Sequence, residues 1–141
     1  MSRSAFALYC DDIREEINGK SSLMGVYEGN LVVESLPVRL PKLCVVIFSR
    51  FSPDNPVKTF KVTVESNGEV IASIPDTETD YNSHFNEDDF ADNHSLINIK
   101  TNVIFSPFVI NEDGTLQAKI FLDDELIDCE PLHIRAKNKN K

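Results

Sequence analysis

Hydrophobic and polar residues alternate along much of this chain with the two-residue period that is typical of β-strands. The alternation is clearest over residues 60–64, 97–105 and 116–122. Residues 43–48 are instead apolar at every position, which predicts a central strand that is buried on both faces. No window of eleven or more residues carries the 3.6-residue period of a helix, so we predict an all-β fold.

Turn signals separate these strands at intervals of about 8–12 residues. Asn18-Gly19 and Asn67-Gly68 each predict a two-residue hairpin, because both positions of such a turn tolerate positive φ. Gly25 predicts a bulge or a close backbone approach, and Pro131 predicts that the last strand is an edge strand or bulges there. The pattern favours a single antiparallel β-sandwich of about eight strands, immunoglobulin-like or C2-like in architecture.

The chain of 141 residues has the length of one domain. We assign residues 1–134 to the sandwich, with an acidic loop at 76–94, and residues 135–141 to a basic disordered tail. No apolar run approaches the length of a membrane span, and the N-terminus lacks the apolar core of a signal peptide. We therefore expect a cytoplasmic protein.

The acidic charge of the chain is concentrated in one place. Residues 76–92 hold seven carboxylates and no Lys or Arg, so they contribute −7 of the formal net charge of −9. This balance argues against binding to nucleic acid or to anionic membranes, which requires clustered Lys and Arg. Loops of this length are uncommon in compact domains and are usually functional or disordered.

Aromatic residues interleave with these acids at Tyr81, Phe85 and Phe90. Apolar anchors within a charged frame can dock on a basic surface while the carboxylates steer the encounter, so we predict a protein partner with such a surface. The alternative is that the aromatic side chains fold back and cap the sandwich. The predicted partner-binding residues are Asp80, Tyr81, His84, Phe85, Glu87, Asp88, Asp89, Phe90 and Asp92.

Catalysis finds little support in the sequence. The three histidines, His84, His94 and His133, have no nucleophile motif beside them, and we predict no enzyme activity, no catalytic residue and no cofactor. Alternate acids at residues 76–80 imitate a calcium loop but lack its glycine and its bidentate final acid. We predict no metal ligands, and a metal-dependent binding protein remains an alternative.

Cysteine usage is sparse, with Cys10, Cys44 and Cys129 far apart and no Cys-x-x-Cys pair. Each lies in an apolar, strand-like context, which predicts buried free thiols.

Acids at residues 11, 12, 15 and 16 surround Arg14 and predict either an ion-pair cluster or the rim of a pocket.

Four short motifs in the first third of the chain carry a resemblance. They are Cys-Asp-Asp-Ile-Arg-Glu-Glu at 10–16, Asn-Gly-Lys at 18–20, Ser-Leu-Met-Gly-Val-Tyr at 22–27 and Leu-Pro-Lys-Leu at 40–43. Together they resemble the opening of a bacterial family, also met in phage genomes, that is catalogued only as a domain of unknown function. More weakly, residues 111–114 and 121–127 are similar to the closing hairpin of immunoglobulin-like sandwiches.

The family resemblance implies a small intracellular β-sandwich and brings no activity or site residues with it. Its family context motivates an alternative function, a phage-type inhibitor or ligand sponge that acts against a bacterial defence system. Unpaired sheet edges invite further strands, so the sequence also allows a homodimer through a sheet edge. The main expectation remains a non-catalytic module for protein–protein interaction.

Overall fold

The computed structural model describes residues 3–78 and 96–137. These residues form twelve strands and one short 3₁₀ turn at Ile17–Gly19, which confirms the all-β prediction. None of the described residues belongs to a helix of the length and apolarity needed to cross a membrane. The strands are β1 Ser4–Glu15, β2 Ser21–Tyr27, β3 Asn30–Val33, β4 Val38–Leu40, β5 Leu43–Phe51, β6 Thr59–Ser66, β7 Glu69–Glu78, β8 Ile97–Phe105, β9 Phe108–Ile110, β10 Gly114–Leu122, β11 Glu125–Asp128 and β12 Leu132–Ala136.

Three sheets hold these strands. The first is antiparallel with the order β2-β1-β5-β8, and the second has the order β3-β12-β10-β6-β7, with β11 also paired to β10. The third is the two-stranded pair β4-β9. Because β3 and β12 run parallel, the second sheet is mixed rather than antiparallel. Strands β3, β4, β9 and β11 have only three or four residues, too few to show a period, so the sequence predicted fewer strands.

One core lies between the two larger sheets. Val45 and Ile47 of β5 share it with Val62 of β6 and Leu116 of β10, and all four are almost fully buried. The hydroxyl of Tyr9 donates a hydrogen bond to the Glu130 carbonyl (2.9 Å) and accepts one from the Ala118 N–H (3.3 Å). Burial raises the pKa of Tyr9 to about 12. The two sheets therefore face each other across a continuous apolar layer.

Both predicted hairpins are present, but only the second has the predicted two-residue turn. Ser66 pairs with Glu69 around Asn67-Gly68, whereas in the first hairpin the Glu16 N–H donates to the Lys20 carbonyl and encloses three residues, Ile17–Gly19. Asn18 and Gly19 have φ of 70° and 74° between β1 and β2, and Asn67 and Gly68 have φ of 51° and 85° between β6 and β7. The predicted central strand is also confirmed, because β5 lies between β1 and β8 and is buried over nearly its whole length.

The last strand differs from the prediction. β12 lies between β3 and β10, so it is not an edge strand, and Pro131 immediately precedes its first residue. Proline has no backbone N–H, but at this position, before the ladder of β12 begins, no N–H is needed for strand pairing. The strand continues to Ala136, because Arg135 and Ala136 still pair with β3.

Candidate functional site

The predicted partner-binding residues, from Asp80 to Asp92, lie outside the described residues. What the structure describes is the frame on either side of them. β7 ends at Glu78, which pairs with Thr59, and β8 begins at Ile97, which pairs with Phe51. Between these two strands the chain passes from the edge of the six-stranded sheet to the edge of the four-stranded sheet.

A second region of interest is the β1–β2 hairpin, which contains three of the motifs noted in the sequence. Gly25 of β2 has φ of +69°, and a Cβ atom there would collide with Oδ2 of Asp11. A close approach at Gly25 is therefore present, and the group that approaches its backbone is the side chain of Asp11. The Tyr27 hydroxyl donates a hydrogen bond of 2.5 Å to Oδ1 of Asp11. Burial, and then this bond to a carboxylate, raises the pKa of Tyr27 well above its ordinary value.

Asp12 forms the second anchor of the hairpin. Its Oδ1 accepts hydrogen bonds from Nζ of Lys42 at 3.0 Å and from the backbone N–H of Ile13 at 2.9 Å. The ammonium group of Lys42 is the main reason that the pKa of Asp12 lies below its ordinary value. The hairpin is thus tied at its bend to the segment that leads into β5.

The far half of the hairpin lies back over its own sheet. Cys10 pairs with Cys44, so a straight β1 would carry Glu15 away from the middle of β5. Glu15 nevertheless contacts Nζ of Lys100 at 3.3 Å, and Lys100 is the ladder partner of Phe48. A straight strand cannot reach that row, and the hairpin therefore bends at Asp11 and Gly25 and covers the outer face of the four-stranded sheet.

The bent hairpin shields a small second apolar cluster. Cys10, Cys44 and Val46 are fully buried there, although they face away from the main core. Side chains of the hairpin, including Ile13 and Leu23, pack against this cluster. We call it the outer cluster and the shared core between the sheets the inner core.

The three cysteines are free and buried, as predicted. Burial raises the pKa of Cys10 and of Cys129 to about 11 and also raises the pKa of Cys44. These thiols are therefore protonated at neutral pH, and a protonated thiol is a poor nucleophile. Their chemistry in the described fold is that of small apolar side chains.

A groove of about 300 Å³ lies between the tip of the hairpin and the sheet. Phe48, Leu23 and Ile99 give it an apolar lining, and Lys20 and Lys100 add positive charge. Another groove, of about 370 Å³, is lined by residues of β7, β9 and β10.

The acids near the N-terminus mainly stabilise the bent hairpin. Asp12 pairs with Lys42, just before β5, and Glu15 pairs with Lys100 of β8; these partners are 30 and 85 residues away in sequence. No local signal identifies such distant partners, so the sequence did not predict Lys42 or Lys100.

Over residues 3–78 and 96–137, no three His, Cys, Asp or Glu side chains lie close enough together to hold a metal ion.

Comparison with known proteins gives one result. A model of a family of unknown function (DUF6941) matches residues 5–135, which includes nearly all of the described chain and confirms the resemblance noted in the sequence. No curated protein and no solved structure matches the chain.

Proposed function

We propose that this chain, which belongs to the family of unknown function DUF6941, is a non-catalytic binding module that engages a basic surface of a protein partner through its acidic, aromatic segment at 76–94. The observation that carries the proposal is the position of the charge. The segment holds −7 of a net −9; its first three residues, 76–78, form the end of edge strand β7, and edge strand β8 begins after it at Ile97. Binding residues are commonly found on loops held by a rigid scaffold.

The scaffold supports this role through its ordered ladders on both sides. β7 pairs with β6 up to Glu78, and β8 pairs with β5 from Ile97 onward. The shared inner core also supports, as part of the proposal, a two-layer β-sandwich of immunoglobulin-like or C2-like kind. In this scheme the sandwich holds the segment in place, and the segment makes the contact.

Two kinds of side chain have separate roles in the proposed contact. The carboxylates at Asp80, Glu87 and Asp88 attract the basic surface and raise the rate of encounter. The aromatic side chains of Tyr81 and Phe85 then bury apolar area and slow dissociation. Binding should consequently weaken as the ionic strength rises.

A pair of charge-matched variants tests the electrostatic part. The first neutralises five acids of the segment: Asp80→Asn, Glu87→Gln, Asp88→Asn, Asp89→Asn and Asp92→Asn. The second neutralises five exposed acids of the scaffold: Glu28→Gln, Asp54→Asn, Asp124→Asn, Asp128→Asn and Glu130→Gln. Both raise the net charge by the same amount, so only the position of the charge differs.

We expect the segment variant to lose at least about tenfold in partner recovered by affinity capture from the native cell, measured by quantitative mass spectrometry. The scaffold variant should recover the partner at nearly the level of the unmodified chain. Equal losses in both variants would show that net charge alone matters, and equal retention would refute the proposal.

A triple variant, Tyr81→Ser, Phe85→Ser and Phe90→Ser, tests whether the aromatic side chains dock on the partner or cap the sandwich. If the three side chains dock on the partner, capture falls while the thermal midpoint stays within a few degrees of the original. If they cap the sandwich instead, the thermal midpoint falls substantially, because the variant loses apolar area that is buried on folding. Circular dichroism melts and capture on the same samples distinguish the two.

A further inference from the structure

Edge strands of a sheet expose unpaired N–H and C=O groups, and proteins usually protect them by shortness, bulges, proline or bending. Most edges in the described chain carry such a feature. β2 bends with its hairpin at Gly25, and β3 and β11 have only four residues each. The strands β4 and β9 have three residues each.

β7 is long but well protected. Its pairing with β6 shifts register twice, between Phe60 and Val62 and between Val64 and Glu65. Each shift places an extra residue on β7, which twists the strand and interrupts a regular ladder. Pro75 adds a position without an N–H group.

Lysine side chains also protect edges, and β8 carries one, Lys100, but it has none of the other features. All nine of its residues pair with β5 in one unbroken register, from Ile97 opposite Phe51 to Phe105 opposite Leu43. It contains no proline, and no strand within residues 3–78 or 96–137 pairs with its other side. Ile104 on this strand is 54 % exposed. Among the described edges, β8 is the one long and regular template for a further strand.

We infer that β8 pairs with β8 of a second copy of this chain, antiparallel and about a two-fold axis at Thr101. This register uses the whole strand, since Ile97 then faces Phe105 of the second copy. Lys100 is the one charged residue of β8, and it faces Asn102 of the second copy instead of a like charge. The strand is therefore complementary to itself, as an isologous interface requires.

The resulting dimer has one continuous eight-stranded sheet, built from both four-stranded sheets. The dimer is inferred from β8 alone, so it does not rest on the proposed function. Dimerisation and binding of the proposed partner should also respond oppositely to salt. Each copy carries a net charge of −9, so screening should strengthen the dimer while it weakens a contact between acidic and basic surfaces.

Charge variants on β8 test the register. The change Asn102→Lys places a new lysine opposite Lys100 of the other copy, which creates two like-charge pairs per dimer. We expect the dimer dissociation constant to rise about tenfold. The double variant Lys100→Glu with Asn102→Glu should dissociate similarly, because its two acids face each other. A mixture of the two variants should form heterodimers at least as stable as the original homodimer.

Sedimentation equilibrium on the full chain measures all four samples, with a monomer mass of 15.9 kDa as the reference. Circular dichroism melts establish that each variant is folded. Hydrogen exchange at low and high protein concentration gives a second readout, since the β8 amides should gain protection in the dimer. A chain that stays monomeric at all concentrations overturns the inference. A dimer that the Asn102→Lys change leaves unaltered overturns it equally.

Discussion

Strand β5 is buried on both faces, and its two faces are covered in different ways. Val45 and Ile47 point into the inner core and pack against the second sheet. Cys44 and Val46 point the other way and are covered by the chain's own β1–β2 hairpin. All four residues have no exposed surface, yet the two covers depend on different interactions.

The inner cover consists of many apolar side chains from several strands, so its stability comes mainly from buried area. The outer cover combines a small apolar cluster with polar anchors at Asp11, Asp12 and Glu15. Exposed ion pairs contribute little individually. The hairpin should therefore open at a lower free energy than the sheets separate. The comparison predicts that equal burial does not bring equal stability.

The largest effect is expected from one substitution made on each face of β5. Val45→Ala removes two methyl groups from the inner core, and Val46→Ala removes the same two from the outer cluster. We expect Val45→Ala to lower the free energy of unfolding by about 2–3 kcal/mol and Val46→Ala by about 1–2 kcal/mol. The hairpin can settle into the space left by Val46, whereas the two paired sheets cannot move together as easily.

Urea unfolding followed by circular dichroism measures both values on the same strand and with the same residue type. The slope of the transition should remain unchanged, so that the midpoints report stability alone. Equal losses for the two variants would break the distinction between the faces. A larger loss for Val46→Ala would reverse it.

A comparable effect is expected at the bend of the hairpin. Gly25→Ala imposes a positive φ on alanine and also places a Cβ against Asp11, whereas Gly68→Ala at φ of +85° meets no atom within 4 Å. The strain of the backbone alone is about 1–2 kcal/mol, so Gly68→Ala should cost that amount. Gly25→Ala should cost about 1 kcal/mol more, because Asp11 must move and its bond to Tyr27 is lost.

Adding Asp11→Ala to Gly25→Ala provides the control for that explanation. Removing the carboxylate relieves the collision, so the double variant should be less destabilised than the sum of its single changes. Strict additivity would mean that the contact at the bend has no energetic weight. Thermal melts of the four proteins complete the cycle.

Much of the scaffold follows from local features of the sequence. The Asn-Gly pairs at 18–19 and 67–68 adopt positive φ and mark their hairpins, and the apolar run at 43–48 marks the central strand. The parallel pairing of β3 with β12 joins residues about a hundred positions apart, and no local pattern specifies such a pairing. The same reason explains the error at Pro131, where the neighbour on the outer side is β3.

The hairpin shows where local reasoning ends. Gly25 indicated a close approach, but the sequence did not indicate that β1 and β2 bend together and cover their own sheet. That arrangement depends on Lys42 and Lys100, which reach the hairpin from distant parts of the chain. The predicted contact residues at 80–92 lie outside the described residues, and their role stays a prediction.

The smallest effect concerns the polar anchors themselves. Hydrogen bonds, from Lys42 to Asp12 and from Ser21 and Lys100 to Glu15, hold the pKa of each carboxyl below its ordinary value of 3.8 or 4.5. Such groups stabilise the folded hairpin at any pH above those ordinary values. The contribution is lost as the pH falls through the lowered folded pKa. Between about pH 7 and pH 5 both carboxyls stay ionised, so their contribution to the stability of the closed hairpin should not change.

Thiol labelling can follow this loss, because Cys10 and Cys44 lie under the hairpin while Cys129 belongs to the inner core. At neutral pH, Asp12→Asn combined with Glu15→Gln should raise the labelling rate of the two outer thiols, relative to Cys129, about two- to fivefold. In the unmodified chain the same ratio should rise only below pH 4.5, with a disulfide reagent that reacts in acid.

The exposed pair between Glu34 and Lys137, 3.0 Å apart and just beyond the paired strands β3 and β12 of the other sheet, supplies the matched control. Glu34→Gln removes an ion pair of the same kind and should leave the labelling ratio unchanged. If it raises the ratio as much as the hairpin variant does, the outer thiols respond to general loosening and not to their own cover. If neither variant changes the ratio, the apolar packing of Ile13 and Leu23 keeps the hairpin closed without its charged groups. The covers on the two faces of β5 would then both depend mainly on buried apolar area.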